Sequence, residues 1–279
     1  NCDVYRVSLN GKNKVRLTPN AGTNAATFSP NFEYFINNFS SSQTPITYTL
    51  HSAKDGKKVK DILNNDGLKN KLAGFDLPVK EFMVLKTDGG QQLNAWMIKP
   101  KDFDPNKKYP VFMYQYSGPG SQQVNNDWNG SDDYWFMMLA QQGYIVACVD
   151  GRGTGFKGAE FKKVTYKELG KYEVEDQIDA AKTIGKYSYV DASRIGIFGW
   201  SYSVYTERYM QTPQENASGY DDNSPINHVS KLKGSYLLVH GTADDNVHIQ
   251  NTMRMVEALV QANKQFDWAI YPDKNHGIY

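Results

Sequence analysis

Three residues in the second half of the chain have the side-chain types that a serine-dependent hydrolysis requires. Ser201 lies in the run GWSY, Asp244 in HGTADDN and His276 in NHGIY. A serine hydroxyl is a weak nucleophile at neutral pH, so an imidazole must remove its proton and a carboxylate must fix the imidazole tautomer. The sequence therefore predicts a catalytic triad with Ser201 as nucleophile, Asp244 as acid and His276 as base.

Each of these residues follows an apolar run that is typical of a β-strand. The runs are RIGIF before Ser201, YLLVH before Asp244 and WAIY before His276. Beyond Pro110, such runs alternate with segments of helical periodicity. This alternation predicts a doubly wound, mostly parallel sheet with helices on both faces. Serine, acid and histidine in this order on such a sheet are typical of an α/β-hydrolase.

The first 75 residues have a different pattern. Short alternating strands are separated by Asn-Gly and Asp-Gly turns, and TFSPNFEYFINNFSS is typical of a β-propeller blade. One blade takes about 40 to 45 residues and needs neighbouring blades for stability. We therefore expect residues 1–75 to be the C-terminal portion of a β-propeller in a longer protein. Residues 76–279 would be an incomplete α/β-hydrolase catalytic domain.

The sequence after Ser201 departs from the nucleophile-elbow pattern G-x-S-x-G. Its fifth position is Ser203, and residues 203–220 contain too few apolar residues for the helix and strand that should follow. One βαβ unit takes about thirty residues. We therefore expect that Tyr202 and Ser203 are not covalent neighbours in the folded enzyme and that about thirty residues lie between them.

Composition and charge exclude several classes of partner. The net charge is +1 over 279 residues, and no Lys/Arg stripe is present, which argues against nucleic acid and anionic membranes. The sequence has no Cys/His/Asp cluster with metal-ligand spacing, so we expect neither a metal nor a cofactor. Cys148 lies in the strand-like run YIVACVD and is expected to be a buried free thiol.

Several longer motifs resemble the prolyl oligopeptidase family of serine peptidases. They are YSGPGSQ, VDGRGTGFKG, YEVEDQIDAA, GWSY, SVYTERYM and LLVHGTADDNVH. The resemblance covers nearly all of residues 76–279 and is closest to members that release dipeptides. It implies release of N-terminal X-Pro or X-Ala dipeptides from peptides through an acyl-enzyme. It also implies a homodimer in the full-length protein and a secreted, periplasmic or membrane-anchored location.

The resemblance also assigns further site residues. It places the Tyr116 hydroxyl and the Tyr202 backbone N–H in the oxyanion hole. Among the substrate-binding residues, it places Tyr205 and Val247, together with Tyr202, around the proline pocket and Asn246 near the substrate carbonyl. The groups that hold the substrate amine and carbonyl belong to a propeller of which this sequence contains only a small part.

Other interpretations of the same residues stay open at this level. The shortened elbow is also compatible with an inactive fragment that serves as a binding or scaffold module. Another α/β-hydrolase, such as an esterase or acylaminoacyl peptidase, would share the triad. Asp245 is a rival for the acid role. We expect Glu173, Glu175 and Asp176 to form a solvated helix start and His51 to be solvated.

Overall fold

The computed structural model describes residues 1–201 and 206–278, with the backbone alone at residues 206 and 207. The strands are β1 (Tyr5–Arg6), β2 (Val15–Arg16), β3 (Thr23–Phe28), β4 (Tyr34–Ser41), β5 (Thr44–Ser52), β6 (Lys58–Leu63), β7 (Lys80–Lys86), β8 (Gln92–Ile98), β9 (Tyr109–Gln115), β10 (Ile145–Asp150), β11 (Val190–Gly199), β12 (Leu237–Gly241) and β13 (Asp267–Tyr271). The helices are α1 (Asp66–Ala73), α2 (Ser131–Gln141), α3 (Ala159–Lys163), α4 (Lys171–Gly185), α5 (Thr206–Met210), α6 (Ala217–Asn223), a 3₁₀ helix (Pro225–Lys231) and α7 (Ile249–Gln261). None of the described helices has both the length and the apolar character needed to cross a bilayer.

The N-terminal segment forms an antiparallel meander. Strands β3, β4, β5 and β6 pair in sequential order, and β1 pairs with β2 beside them. The expectation that His51 is solvated was wrong, since its side chain is buried on β5. Its Nδ1 lies 2.8 Å from the Gly56 carbonyl oxygen and its Nε2 2.8 Å from Thr49 Oγ1, and its ring stacks on Phe35. The hairpin therefore supplies the polar partners that make this burial possible.

The central sheet has five strands in the order β11-β9-β10-β8-β7. Strands β9, β10 and β11 are parallel, and β8 and β7 are antiparallel to their neighbours. All six residues of β10 are buried because its alternate side chains enter two cores. The core beneath α4 contains Ile145, Ala147, Val149, Ala180 and Ile184. The core beneath α2 contains Val146, Cys148, Phe136, Met137 and Ala140.

The expected helical cover on both faces is therefore confirmed for these five strands. The prediction of a buried free Cys148 is also confirmed, and burial raises the pKa of its thiol well above the ordinary value.

The C-terminal strands do not continue this sheet. Strand β12 pairs in parallel with β13 alone, and among the described residues no strand pairs with the outer edge of β11. Ile197 on β11 and Leu237 on β12 are 57% and 62% exposed. The strands therefore divide between β11 and β12, because the described residues between them form helices and loops instead of a joining strand.

The start of α4 is buried rather than solvated, which corrects a second expectation. Glu173 is 3% exposed and Asp176 is 0% exposed, whereas Glu175 faces solvent. The Asp176 carboxylate accepts hydrogen bonds from the backbone and guanidinium of Arg152, with Nη2 2.7 Å from Oδ1. Arg152 lies in the loop after β10, so this ion pair fixes that loop against α4.

Candidate active site

The turn that carries Ser201 has a constrained backbone. Strand β11 ends at Gly199, and Ser201 has φ 55°, a left-handed conformation that is uncommon for a residue with a side chain. A Cβ atom at Gly199 would lie 2.4 Å from the side-chain nitrogen of Gln115 and 3.2 Å from the backbone carbonyl oxygen of Gln115. Glycine at this position therefore lets the ends of β9 and β11 approach closely beneath the serine.

The acid and the histidine of the predicted triad are in direct contact. Gly241 of β12 aligns with Tyr271 of β13, so Asp244 and His276 lie on loops that leave the same edge of this parallel pair. Asp244 Oδ2 lies 2.7 Å from His276 Nδ1. Asp245 is exposed, and the hydrogen bond to His276 is made by Asp244, which favours Asp244 over its neighbour as the acid.

The Asp244 carboxylate is held in its ionised form. Its Oδ1 accepts the backbone N–H groups of Asn246, at 2.9 Å, and Val247, at 2.8 Å. Burial alone would raise the pKa of Asp244, but the bonds from Val247, His276 and Asn246 together hold that pKa below its ordinary value. The Oδ2 atom that faces the imidazole ring therefore belongs to an ionised carboxylate, which can only accept a hydrogen bond. His276 Nδ1 accordingly carries a hydrogen and donates it to Asp244 Oδ2.

This hydrogen bond leaves the other ring nitrogen of His276 as the basic atom. Nε2 is buried and has no hydrogen-bond partner among the described residues. The His276 carbonyl oxygen accepts the indole N–H of Trp200 at 3.2 Å. Trp200 precedes Ser201, so the described structure links the histidine loop to the serine turn through this contact. Trp200 is not among the site residues predicted from the sequence. The one sequence feature that could have indicated it is its position between Gly199 and Ser201 in the G-x-S-x-G pattern.

A second histidine supports the acid loop. The buried His240 places Nε2 2.8 Å from the Val247 carbonyl oxygen and Nδ1 2.7 Å from Thr252 Oγ1. Its Nε2 is also 3.5 Å from Asp244 Oδ2. His240 therefore joins β12, the loop after it and α7, and it helps to keep Asp244 in position for His276.

Tyr116 leaves the sheet beside the serine turn. Gln115 on β9 aligns with Gly199 on β11, so Tyr116 and Ser201 follow adjacent, paired strand ends. Binding sites of open α/β sheets lie at this carboxyl edge. A Cβ atom at Gly118 would lie 2.5 Å from Tyr116 Cε1, so the tyrosine ring folds closely over the backbone of Gly118.

The remaining predicted site residues are only partly described. Tyr202 and Tyr205 lie outside the described residues, and so does the Cα separation of Tyr202 and Ser203. Asn246 and Val247 lie beside Asp244, where their backbone N–H groups support the acid. Their contacts with a substrate stay a prediction.

Comparison with known families gives matches over both parts of the chain. The profile described as the prolyl oligopeptidase family matches residues 131–202 and 203–279. The profile described as the dipeptidyl peptidase IV (DPP IV) N-terminal region matches residues 2–46. The first match is divided between Tyr202 and Ser203, which is the junction where the sequence suggests missing residues.

Individual relatives extend over the whole chain. A probable dipeptidyl-aminopeptidase B of Podospora anserina is 37% identical over 315 aligned positions, covering 99% of this chain and 34% of the relative. The alignment is about 36 positions longer than the 279 residues present here. A similarly named protein of Pyrenophora tritici-repentis is 36% identical, with 99% and 35% covered. The chain thus spans about a third of the length of these relatives.

Solved structures give the same result. The crystal structure of Porphyromonas gingivalis dipeptidyl peptidase 4 matches with a TM-score of 0.95 and 47% identity, covering 99% of this chain and 43% of that one. A putative dipeptidyl aminopeptidase IV from Bacteroides ovatus matches with a TM-score of 0.88 and 30% identity, covering 98% and 43%. By the profile match across its second half and by these relatives, the chain belongs to the prolyl oligopeptidase family.

Proposed function

We propose that the full-length protein is a serine exopeptidase that releases X-Pro or X-Ala dipeptides from the N-termini of peptides. The observation that carries this proposal is the 2.7 Å contact of Asp244 with His276, which leaves His276 Nε2 free on the loop bonded to Trp200. The names of the similar proteins, dipeptidyl-aminopeptidase B and dipeptidyl peptidase 4, support this choice of reaction.

The proposed reaction is an acyl transfer in two steps. His276 Nε2 takes the Ser201 hydroxyl proton while Oγ attacks the carbonyl carbon of the scissile peptide bond. The Tyr116 hydroxyl and the Tyr202 N–H donate hydrogen bonds to the resulting oxyanion. His276 then gives its proton to the leaving amine, and the dipeptide stays bound to Ser201 as an ester. Water, deprotonated by His276, releases the dipeptide and restores the serine hydroxyl.

The same proposal includes the architecture of the whole protein. Residues 76–279 would be an α/β-hydrolase domain and residues 1–75 the C-terminal portion of a β-propeller, in keeping with the two profile matches. Tyr205, Asn246 and Val247 would line the substrate site, with the aromatic rings of Tyr202 and Tyr205 against the proline. A homodimer and a secreted, periplasmic or membrane-anchored location complete the proposal.

An inactive binding module is the second candidate, and a specific observation favours it. The outer edge of β11 is unpaired among the described strands, and the turn after it carries the nucleophile. If no further strand pairs with that edge in the whole protein, the serine turn is supported from the β9 side alone, and an inactive serine would follow from this one-sided support. This alternative and the peptidase proposal differ in one measurable property, which is the reactivity of Ser201.

A fluorophosphonate probe tests the proposal, because it labels an activated serine. In the full-length protein we expect the label on Ser201 and cleavage of Gly-Pro reporters in preference to acylated amino-acid reporters. Ser201→Ala should lower kcat on the order of 10⁶-fold, as loss of a triad nucleophile does. Ser230→Ala, at an exposed serine, is the matched control and should leave kcat unchanged. A label on another serine, or no label at all, would reject the proposal.

A further inference from the structure

We infer that Gln177 is a positioning residue that fixes the direction of Tyr116 by holding the next residue, Ser117. The inference rests on the proposed function, in which the Tyr116 hydroxyl stabilises the oxyanion. Gln177 lies on α4, is 7% exposed and is distant in sequence from each residue of the triad.

The backbone after Tyr116 is constrained. Ser117 is 3% exposed and has φ 57°, a left-handed conformation that side-chain-bearing residues adopt mainly where their surroundings enforce it. Gly118 follows, and the Tyr116 ring folds over it in a space that a Cβ atom would occupy. The direction of the Tyr116 side chain therefore depends on the conformation of Ser117 and Gly118.

Gln177 holds this conformation from below the sheet edge. Its Nε2 donates to the Val149 carbonyl oxygen at 2.8 Å and to Ser117 Oγ at 3.2 Å. The contact with a carbonyl, which can only accept, fixes which end of the amide is the nitrogen. One buried amide group therefore connects α4, the end of β10 and the left-handed residue that follows Tyr116.

The rest of the loop is anchored at other points, so Gln177 has a distinct role. Asp150 accepts the backbone N–H groups of Gln123 and Val124, and Gly120 N–H donates to the Gly153 carbonyl oxygen at 2.9 Å. These bonds hold the far part of the loop. Among the described side chains, Gln177 makes the contact with Ser117 itself.

The experiment compares kcat and KM for variants of the full-length protein. Gln177→Met keeps the length and helix propensity of the side chain and removes both hydrogen bonds. We expect kcat to fall about tenfold and KM to change less than about twofold, because a misdirected donor weakens binding of the transition state more than that of the substrate. Gln141→Met, the same change at an exposed position on α2, should have no effect.

A double-mutant cycle with Tyr116→Phe tests whether Gln177 acts through the tyrosine. Tyr116→Phe alone should lower kcat about 10²-fold. With the hydroxyl already removed, adding Gln177→Met should lower kcat by less than about twofold, since the effects of residues coupled through one backbone segment are not additive. A tenfold loss in both backgrounds, or no loss in either, would overturn the inference.

The same variants distinguish a failure of the proposed function from a failure of the positioning inference. If Tyr116→Phe retains full kcat, the oxyanion role in the proposed function fails, and the positioning inference fails with it. If Tyr116→Phe is impaired but Gln177→Met is not, only the positioning inference fails. Should Gln177→Met not fold, Ser117→Ala removes the same hydrogen bond from the other side. A loss that disappears in the Tyr116→Phe background would support the inference, and a loss that persists there would overturn it.

Discussion

The five-stranded sheet and the β12–β13 pair supply the two halves of the candidate site, but they are stabilised in different ways. Strand β10 is buried along its whole length, and Met113 on β9 is 0% exposed. In contrast, Leu237 on β12 and Trp268 on β13 are 62% and 50% exposed. The serine turn is therefore positioned by a packed sheet. The acid and histidine are positioned by hydrogen bonds within and between the loops that carry them.

The difference shows which contacts the site depends on. On the packed side, Gly199 and Gly118 permit close approach of backbone and side chains near Ser201 and Tyr116. On the open side, Asp244 is held by two backbone N–H groups and by His276. A contact between the two halves is the bond from the Trp200 indole to the His276 carbonyl oxygen, 3.2 Å long.

The largest effect on this comparison comes from the covalent structure of the chain between the two sheets. The test determines whether Tyr202 and Ser203 are joined by a peptide bond in the full-length protein. If Tyr202 and Ser203 are covalent neighbours, trypsin releases a peptide that runs from Ile195 to Arg208. We expect this peptide to be absent from a digest of the full-length protein, because an intervening strand would join β11 to β12. Mass spectrometry should find a longer peptide that begins IGIFGWSY.

Recovery of the control peptide from Tyr172 to Lys182 would show that the digest is complete in this part of the protein. Detection of the peptide from Ile195 to Arg208 in comparable yield, from folded protein, would mean that the two sheets are separate in the natural molecule as well.

Next in size is the effect of removing the charge that orients the histidine on the open side. Asp244→Asn should lower kcat about 10⁴-fold, because an amide at this position no longer fixes the His276 tautomer. Asp245→Asn is the matched control at the exposed neighbour and should stay within about twofold. Steady-state kinetics on a Gly-Pro reporter distinguishes the two. Equal losses, or a larger loss at Asp245, would mean that the acid has been wrongly assigned.

A smaller effect, on the free energy of unfolding, tests how well the five-stranded sheet and its helices exclude water from their interior. Lys80 on β7 and Asp133 on α2 form a 2.7 Å ion pair whose side chains are 1% and 5% exposed. Lys80→Met should lower the free energy of unfolding by about 3–5 kcal/mol, since it leaves a buried carboxylate without its partner. Lys58→Met breaks a 3.0 Å pair with Asp61 on the exposed strand β6 and should cost less than about 1 kcal/mol.

Urea denaturation of the two variants gives the comparison. Similar losses for Lys80→Met and Lys58→Met would show that the Lys80–Asp133 pair is accessible to water in solution. The sheet would then be less tightly sealed than the structure indicates.

Local patterns were sufficient to predict much of the fold and to propose a catalytic triad. The apolar run YIVACVD predicted the strand β10 with a buried Cys148, and the alternation of apolar runs and helices predicted a sheet covered on both faces. The order of Ser201, Asp244 and His276 along the chain predicted a nucleophile, an acid and a base. These features depend on spacing and side-chain type, which a sequence contains directly.

Tertiary structure decided which polar groups are buried and which residues support the site. From the sequence, His51 and Asp176 were predicted to be solvated. Their hydrogen-bond partners, Gly56 and Arg152, come into contact with them only in the folded chain. Trp200 and Gln177 carried no decisive signal, since their importance comes from the His276 carbonyl and Ser117 across the fold. A hydrogen bond between distant elements depends on where both partners arrive, and that position is determined by packing rather than by periodicity.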